Sequence, residues 1–162
     1  MGAIANMHAI RTTRGFSLVE LVVSISVLAI LVSLAAPMYE SVSAGNRARS
    51  AAYSLVAALS LARSEAVKRN TSVSVAPLGT GWQDGWEVET GGTRLSMNEP
   101  APNLVLSGPL AGVSYQPNGR LSTPGFILFT VSATTGYTRC VLIDPGGRAT
   151  LNPGERNDGS CA

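Results

Sequence analysis

Histidine is almost missing from this chain: His8 is the single one among 162 residues, and it lies ahead of Arg11 and Arg14. A nucleophile activated by imidazole therefore has no base in the body of the protein. Cysteine is nearly as scarce, with Cys140 and Cys161 the only two, and no cluster of ligands suited to a metal is visible. The glycine-lysine loop that cradles phosphates is absent as well. These gaps argue against an enzyme and leave no catalytic, cofactor-binding or metal-binding residue to assign. An excess of one charge is also lacking. The chain holds 12 basic and 10 acidic residues, but Arg11 and Arg14 both precede Gly15 in an acid-free stretch, so ten of each sign remain from Phe16 onward. A globally basic nucleic-acid surface is not supported by that balance.

The apolar residues, 45% of the total, are concentrated in one early block. From 16 to 36 the only charge is Glu20. As a helix this run is about 30 Å long, enough to cross a bilayer core. The two arginines before it place its N-terminus in the cytoplasm and the downstream chain on the far side, a single-pass topology. A secretory signal ending at Ala35-Ala36-Pro37 is the competing reading; the length of the run and Glu20 within it weigh against that.

After Pro37, whose missing amide predicts a kink, the apolar pattern becomes amphipathic. Ala48, Ala52, Leu55, Leu59, Ala62 and Ala66 recur at three- and four-residue spacing, with Arg47, Ser50, Ser54, Ser64 and Lys68 largely elsewhere. Lys68 and Arg69 suit the C-terminal end of the helix dipole, and Asn70 is a stop signal. From 71 onward, short alternating runs at 72–76, 86–90, 93–96, 104–107, 113–116, 126–131, 138–143 and 149–151 read as strands. Gly91-Gly92, Pro117-Asn118-Gly119 and Gly146-Gly147 read as their turns. The expected fold class is α+β: a long bent N-terminal helix packed on an antiparallel β-sheet domain. Two cysteines in an exported domain favour a Cys140–Cys161 disulfide over two unpaired thiols.

Arg14-Gly15-Phe16-Ser17-Leu18-Val19-Glu20-Leu21 resembles the class III signal of type IV pilins and type II secretion pseudopilins. The likeness continues through Pro37. Leu61-Ala62-Arg63-Ser64-Glu65-Ala66-Val67-Lys68-Arg69-Asn70 looks like the helix end of the GspH/FimT group, and Gly81-Trp82-Gln83-Asp84-Gly85-Trp86 is similar to that group's aromatic turn. The resemblance implies a leader, 1–15, cut by a prepilin peptidase between Gly15 and Phe16, followed by N-methylation of Phe16. It implies a membrane and filament-core helix at 16–36, an amphipathic periplasmic helix at 37–70 and a β-rich domain at 71–162. Its partners would be other minor pilins or pseudopilins and the inner-membrane assembly platform. Glu20, costly in lipid unless paired, would meet the positive N-terminus of a neighbouring subunit or its own; an interfacial glutamate facing headgroups is the plainer alternative. The implied role is structural, in the priming or tip complex of a pilus or of a secretion pseudopilus.

Two further features have competing readings. Trp82 and Trp86 flank a turn and suggest either a stacking platform for a ligand or, preferably, an anchor for a loop over a small core. Arg139, Arg148 and Arg156 cluster in sequence. DNA-capturing pilins of the FimT type carry a glycine-arginine motif with a second arginine two positions on, where this chain has Thr150. With Asp144, Glu155 and Asp158 nearby, DNA is the lesser alternative, behind surface ion pairs or subunit contacts.

Overall fold

The computed structural model describes residues 15–99, 102–133, 136–152 and 161, with the side chains of 35–38 and 152 outside that set. The chain divides into two compact units, Met1–Met38 and Tyr39–Ala162. The described part of the first unit is dominated by the N-terminal half of α1, a helix that runs Leu18–Arg69. Its apolar side chains from Phe16 to Leu34 are exposed on every side, Leu18 at 77% and Leu34 at 70%. A helix apolar all round calls for an apolar surrounding, and α1 is long and apolar enough to cross a membrane. The serines within the run suit that environment. Ser24, Ser26 and Ser33 donate their hydroxyl hydrogens to the carbonyls of Glu20, Val22 and Ile30, at 2.7, 2.7 and 2.8 Å. The helix backbone thus satisfies these three hydroxyls without water. Pro37 falls within the span of α1, but the kink expected of it concerns a side chain outside the described residues.

In the second unit α1 has one apolar face. Ala48, Ala52, Leu55, Leu59, Ala62 and Ala66 are all fully buried, joined by Ala44, Ala51 and Ala58. Small side chains at most of these positions let the helix backbone approach the strands, whose larger residues fill the space between. The helix ends as Asn70 predicts. Asn70 takes a left-handed φ of 52°, its N–H reaches the Val67 carbonyl at 3.4 Å, and the Thr71 N–H reaches that of Ala66 at 3.2 Å. This pair of bonds satisfies carbonyls that the helix leaves open.

Eight strands follow: β1 (Val73–Pro77), β2 (Trp86–Thr90), β3 (Thr93–Asn98), β4 (Leu104–Ser107), β5 (Val113–Tyr115), β6 (Ile127–Ala133), β7 (Thr138–Ile143) and β8 (Ala149–Asn152). They match the predicted runs to within two residues at each end, yet they form two four-stranded sheets, ordered β3-β2-β1-β5 and β4-β6-β7-β8. Alternation along a strand shows which face is buried but not which strand lies beside it, so the division into two sheets was not predictable from pattern. All pairings are antiparallel, and register brings like to like: Val75 faces Val88 and Val113, Leu106 faces Val131, and Phe129 faces Val141. β2 and β3 are joined through Gly91-Gly92, both with positive φ, 54° and 77°, the hairpin turn whose twist matches that of the strands.

Trp82 and Trp86 lie inside this core, each 1% exposed. Trp82 meets the Phe129 ring edge-on at 4.8 Å and donates its indole N–H to the Pro109 carbonyl at 3.0 Å. The aromatic pair anchors the 81–86 turn and offers no open stacking platform. Cys140 is bonded to Cys161, their Cα atoms 5.8 Å apart, so residue 161 is tied to β7.

Leu55→Ala is expected to cost about 2–5 kcal/mol of unfolding free energy through the cavity it leaves, and Cys140→Ser about 3 kcal/mol through the freed loop. Chemical denaturation of the full chain in detergent, followed by near-ultraviolet circular dichroism, checks both. A loss under 1 kcal/mol for Leu55→Ala would contradict the buried-face assignment.

Candidate functional site

Two places carry chemistry. The first is the start of α1. Gly15, Phe16 and Ser17 precede the helix without regular structure; nothing stands within 4 Å of where a Gly15 Cβ would lie, and Phe16 is 73% exposed. Glu20 sits in the first helical turn, where a carboxylate suits the positive end of the helix dipole. Among the described residues its carboxylate makes no ion pair. An accessible Gly-Phe bond and an unpaired carboxylate thus stand at the head of an uncovered apolar helix.

The second place is a groove of about 520 Å³ between the C-terminal turns of α1 and the β7–β8 turn, lined by Ser60, Arg63, Ser64, Val67, Lys68, Gly147, Arg148 and Ala149. Two turns build its far side. In one, the Gly119 N–H bonds the Gln116 carbonyl at 2.8 Å and the Gln116 N–H bonds that of Arg120 at 2.8 Å. In the other, the Gly147 N–H bonds the Asp144 carbonyl at 2.8 Å and the Asp144 N–H bonds that of Arg148 at 3.1 Å. The turns abut so closely that a Cβ on Gly147 would collide with the Gly119 carbonyl and stand 3.1 Å from the Tyr115 ring. Gly147 also has φ +83°, so this position needs glycine for two independent reasons. Arg63 fastens the turns to the helix by donating its Nε–H to the Gly119 carbonyl at 3.0 Å.

The charges around the groove are unequal. Among the described residues its lining includes three basic side chains and no carboxylate. Glu65, nearby on α1, is engaged mainly by Arg69, whose Nε lies 2.5 Å from it, and less closely by Lys68 at 3.5 Å. The Arg69 hydrogen bond holds the Glu65 carboxyl below the usual carboxylate range. Asp144 accepts the Arg148 backbone N–H on Oδ1 at 3.0 Å. Beneath the turns Tyr115 is fully buried, and among the described residues its hydroxyl finds no hydrogen-bond partner. Burial pushes its pKa up to about 12, against a lowering by Arg63 and with a further rise from Asp144.

Of the arginines grouped by sequence, Arg139 and Arg148 are not grouped in space. Arg139 lies near the start of β7, with Val131 opposite it, on the face shared with buried Val141 and Ile143. Arg148 lies beyond the other end of that strand, about 14 Å further at strand rise, and keeps company with Arg63 and Lys68 instead. Arg156 lies outside the described residues. Arg63 and Lys68 were legible only as the end of a helix, because a contact with residues some 80 positions later leaves no local signal. Among the described residues no group of three histidine, cysteine or acidic side chains could hold a metal.

Residues 51–147 match the family described as Type II transport protein GspH, and residues 10–36 match the Prokaryotic N-terminal methylation motif. No curated protein matches the sequence. The type IV minor pilin FimU of Pseudomonas aeruginosa is similar in structure, with a TM-score of 0.58 and 28% identity over 67% of this chain and 90% of that one. The minor pseudopilin EpsH from the type 2 secretion system of Vibrio cholerae shares the fold, with a TM-score of 0.53 and 14% identity over 67% of this chain and 99% of that one.

The buried Tyr115 hydroxyl sets an alkaline limit. Between pH 10 and about 12 the unfolded chain loses the tyrosine proton while the folded chain keeps it, so stability falls as pH rises, by up to about 1.4 kcal/mol per pH unit. Tyr115→Phe is expected to remove this part of the decline and to leave stability at pH 7 equal or higher, by up to about 3 kcal/mol, since the hydroxyl it deletes is buried without a bond among the described residues. Denaturation midpoints of both proteins across pH 8 to 12 provide the check.

Proposed function

This chain belongs to the GspH family of type II transport proteins, and on that footing we propose that it serves as a minor subunit in the priming or tip complex of a type IV pilus or of a type II secretion pseudopilus. The observation that carries the reading is the pairing of an uncovered apolar helix with a separately packed β-domain on the same continuous α1. Among the described residues its apolar side chains from Phe16 to Leu34 are exposed, and a bundle of like helices from neighbouring subunits would cover them after the helix leaves the bilayer.

The N-terminal methylation motif supports a maturation route. A prepilin peptidase cuts after Gly15, where no neighbouring group obstructs the backbone, and the new N-terminus on Phe16 is methylated. The chain sits in the inner membrane with Arg11 and Arg14 on the cytoplasmic side and its β-domain in the periplasm. Glu20, unpaired within the described chain, then neutralises the positive N-terminus of an adjacent subunit or its own, and a lateral contact of opposite charges in a low dielectric sets axial register. The inner-membrane platform and other minor pilins or pseudopilins are its working partners. The alternative of DNA capture has less behind it: Thr150 stands where a second arginine is wanted, and Arg139 lies far from Arg148.

Gly15→Leu is expected to leave the chain at precursor mass in whole-cell mass spectrometry. Glu20→Ala is expected to be processed normally yet to reduce assembled filaments, or secreted cargo, to about a tenth, as loss of one partner from a desolvated ion pair does. Filament counts equal to wild type in both Glu20→Ala and the deletion strain would overturn the reading.

A further inference from the structure

Among the described residues, the groove at the end of α1 is the place where cations gather without acids to answer them. Arg148, on the β7–β8 turn, is exposed, and its guanidinium has no hydrogen-bond or ion-pair partner there. Lys68 is held only at 3.5 Å by Glu65, with its side chain 76% exposed. That glutamate is bonded more closely by Arg69, and a loose exposed pair of this kind restrains an ammonium little. Arg63 commits its Nε–H to the Gly119 carbonyl and keeps the rest of its guanidinium donors. Between these cations the lining is small or apolar: Val67, Gly147 and Ala149.

From this arrangement we infer that the groove receives a carboxylate-bearing segment of a neighbouring protein subunit, with Arg148 and Lys68 as its charge contacts and Val67 and Ala149 against its apolar flank. The inference rests on the filament reading for the identity of the neighbour. A planar guanidinium and a mobile ammonium suit one or two carboxylates, and the cavity volume is that of a pocket for a few side chains. A nucleic-acid backbone fits less well. Duplex DNA presents a phosphate charge about every 1.7 Å along its axis, a continuous row that three cations gathered in one pocket do not match. The pocket is built, not incidental, because Arg63 ties the 116–120 turn to α1 and Gly147 of the 144–148 turn packs against the Gly119 carbonyl.

Lys68 is the only lysine in the sequence, which makes a direct test available. Carbodiimide activates carboxylates for attack by amines, so a partner's carboxylate resting in the groove becomes joined to Lys68 by an amide with loss of water. Cells producing the tagged full-length chain at native level are treated with carbodiimide, and Lys68-linked peptides are identified by mass spectrometry. The expected result is an Asp- or Glu-containing peptide of another pilin-like subunit, its yield reduced about tenfold by Arg148→Glu and unchanged by Arg120→Glu, which lies outside the groove lining. Recovery of only intramolecular links, to Glu65 or to any other acid of the same chain such as Glu155 or Asp158, or of intermolecular links insensitive to Arg148→Glu, overturns the inference. So does retention of a DNA duplex by the full chain in detergent that Arg148→Glu abolishes. A deletion strain with normal filaments and normal secretion would reject the filament reading by itself, whatever the cross-links show.

Discussion

The alanine-lined face of α1 is the contact on which the rest of the β-domain is assembled. Ala44, Ala48, Ala52, Leu55, Leu59, Ala62 and Ala66 join in one buried cluster with Val73, Val75, Val88, Tyr115, Phe129, Val131 and Val141 from both sheets. Each fully buried aliphatic side chain in such a cluster is worth about 1.5–3 kcal/mol relative to exposure. The many alanines contribute little apiece by area. Their effect is on distance, since a helix with methyl groups on its inner face comes close enough for the large strand residues to reach across and fill the core without voids. Because that face belongs to the same helix that is apolar all round before Met38, the helix links an element that wants lipid or like helices to one that is satisfied within its own chain.

The same economy governs the margins of the domain. The turns at 116–120 and 144–148 have no apolar mass of their own; they are held by backbone bonds, by Asn118 and Asp144 side chains accepting the N–H groups of Arg120 and Arg148, and by the Arg63 bond to Gly119. Holding a turn this way places a charged side chain accurately while leaving it exposed. Arg148 is such a case, and the buried, unpartnered hydroxyl of Tyr115 beneath it shows that close packing of the turns took precedence over polar satisfaction, at the cost of about 1–3 kcal/mol that such a group carries.

Much of this was legible in the residues. The eight strands and the turns at Gly91-Gly92 and Gly146-Gly147 were marked by alternation and glycine, because each depends on the local backbone. The buried positions of α1 were marked by their three- and four-residue spacing, and its stop by Asn70. The disulfide was favoured by cysteine number and the exported setting. Proximity in sequence does not bring Arg139 and Arg148 together, since β7 carries the chain about 14 Å between them. Arg63 and Lys68 carry no sequence signal of this site for the converse reason: they meet Arg148 only because the last turns of α1 lie beside the β7–β8 hairpin.

What the chain's residues determined unaided were those features whose physics acts within a few positions: a run apolar enough for lipid, a helical stripe, strands of period two, caps and turns. What only the tertiary structure decided was neighbourhood. It sorted the strands into two sheets and put the tryptophans inside. It also gathered three distant cations around one groove, because burial and charge proximity depend on distances through space that no periodicity along the chain encodes.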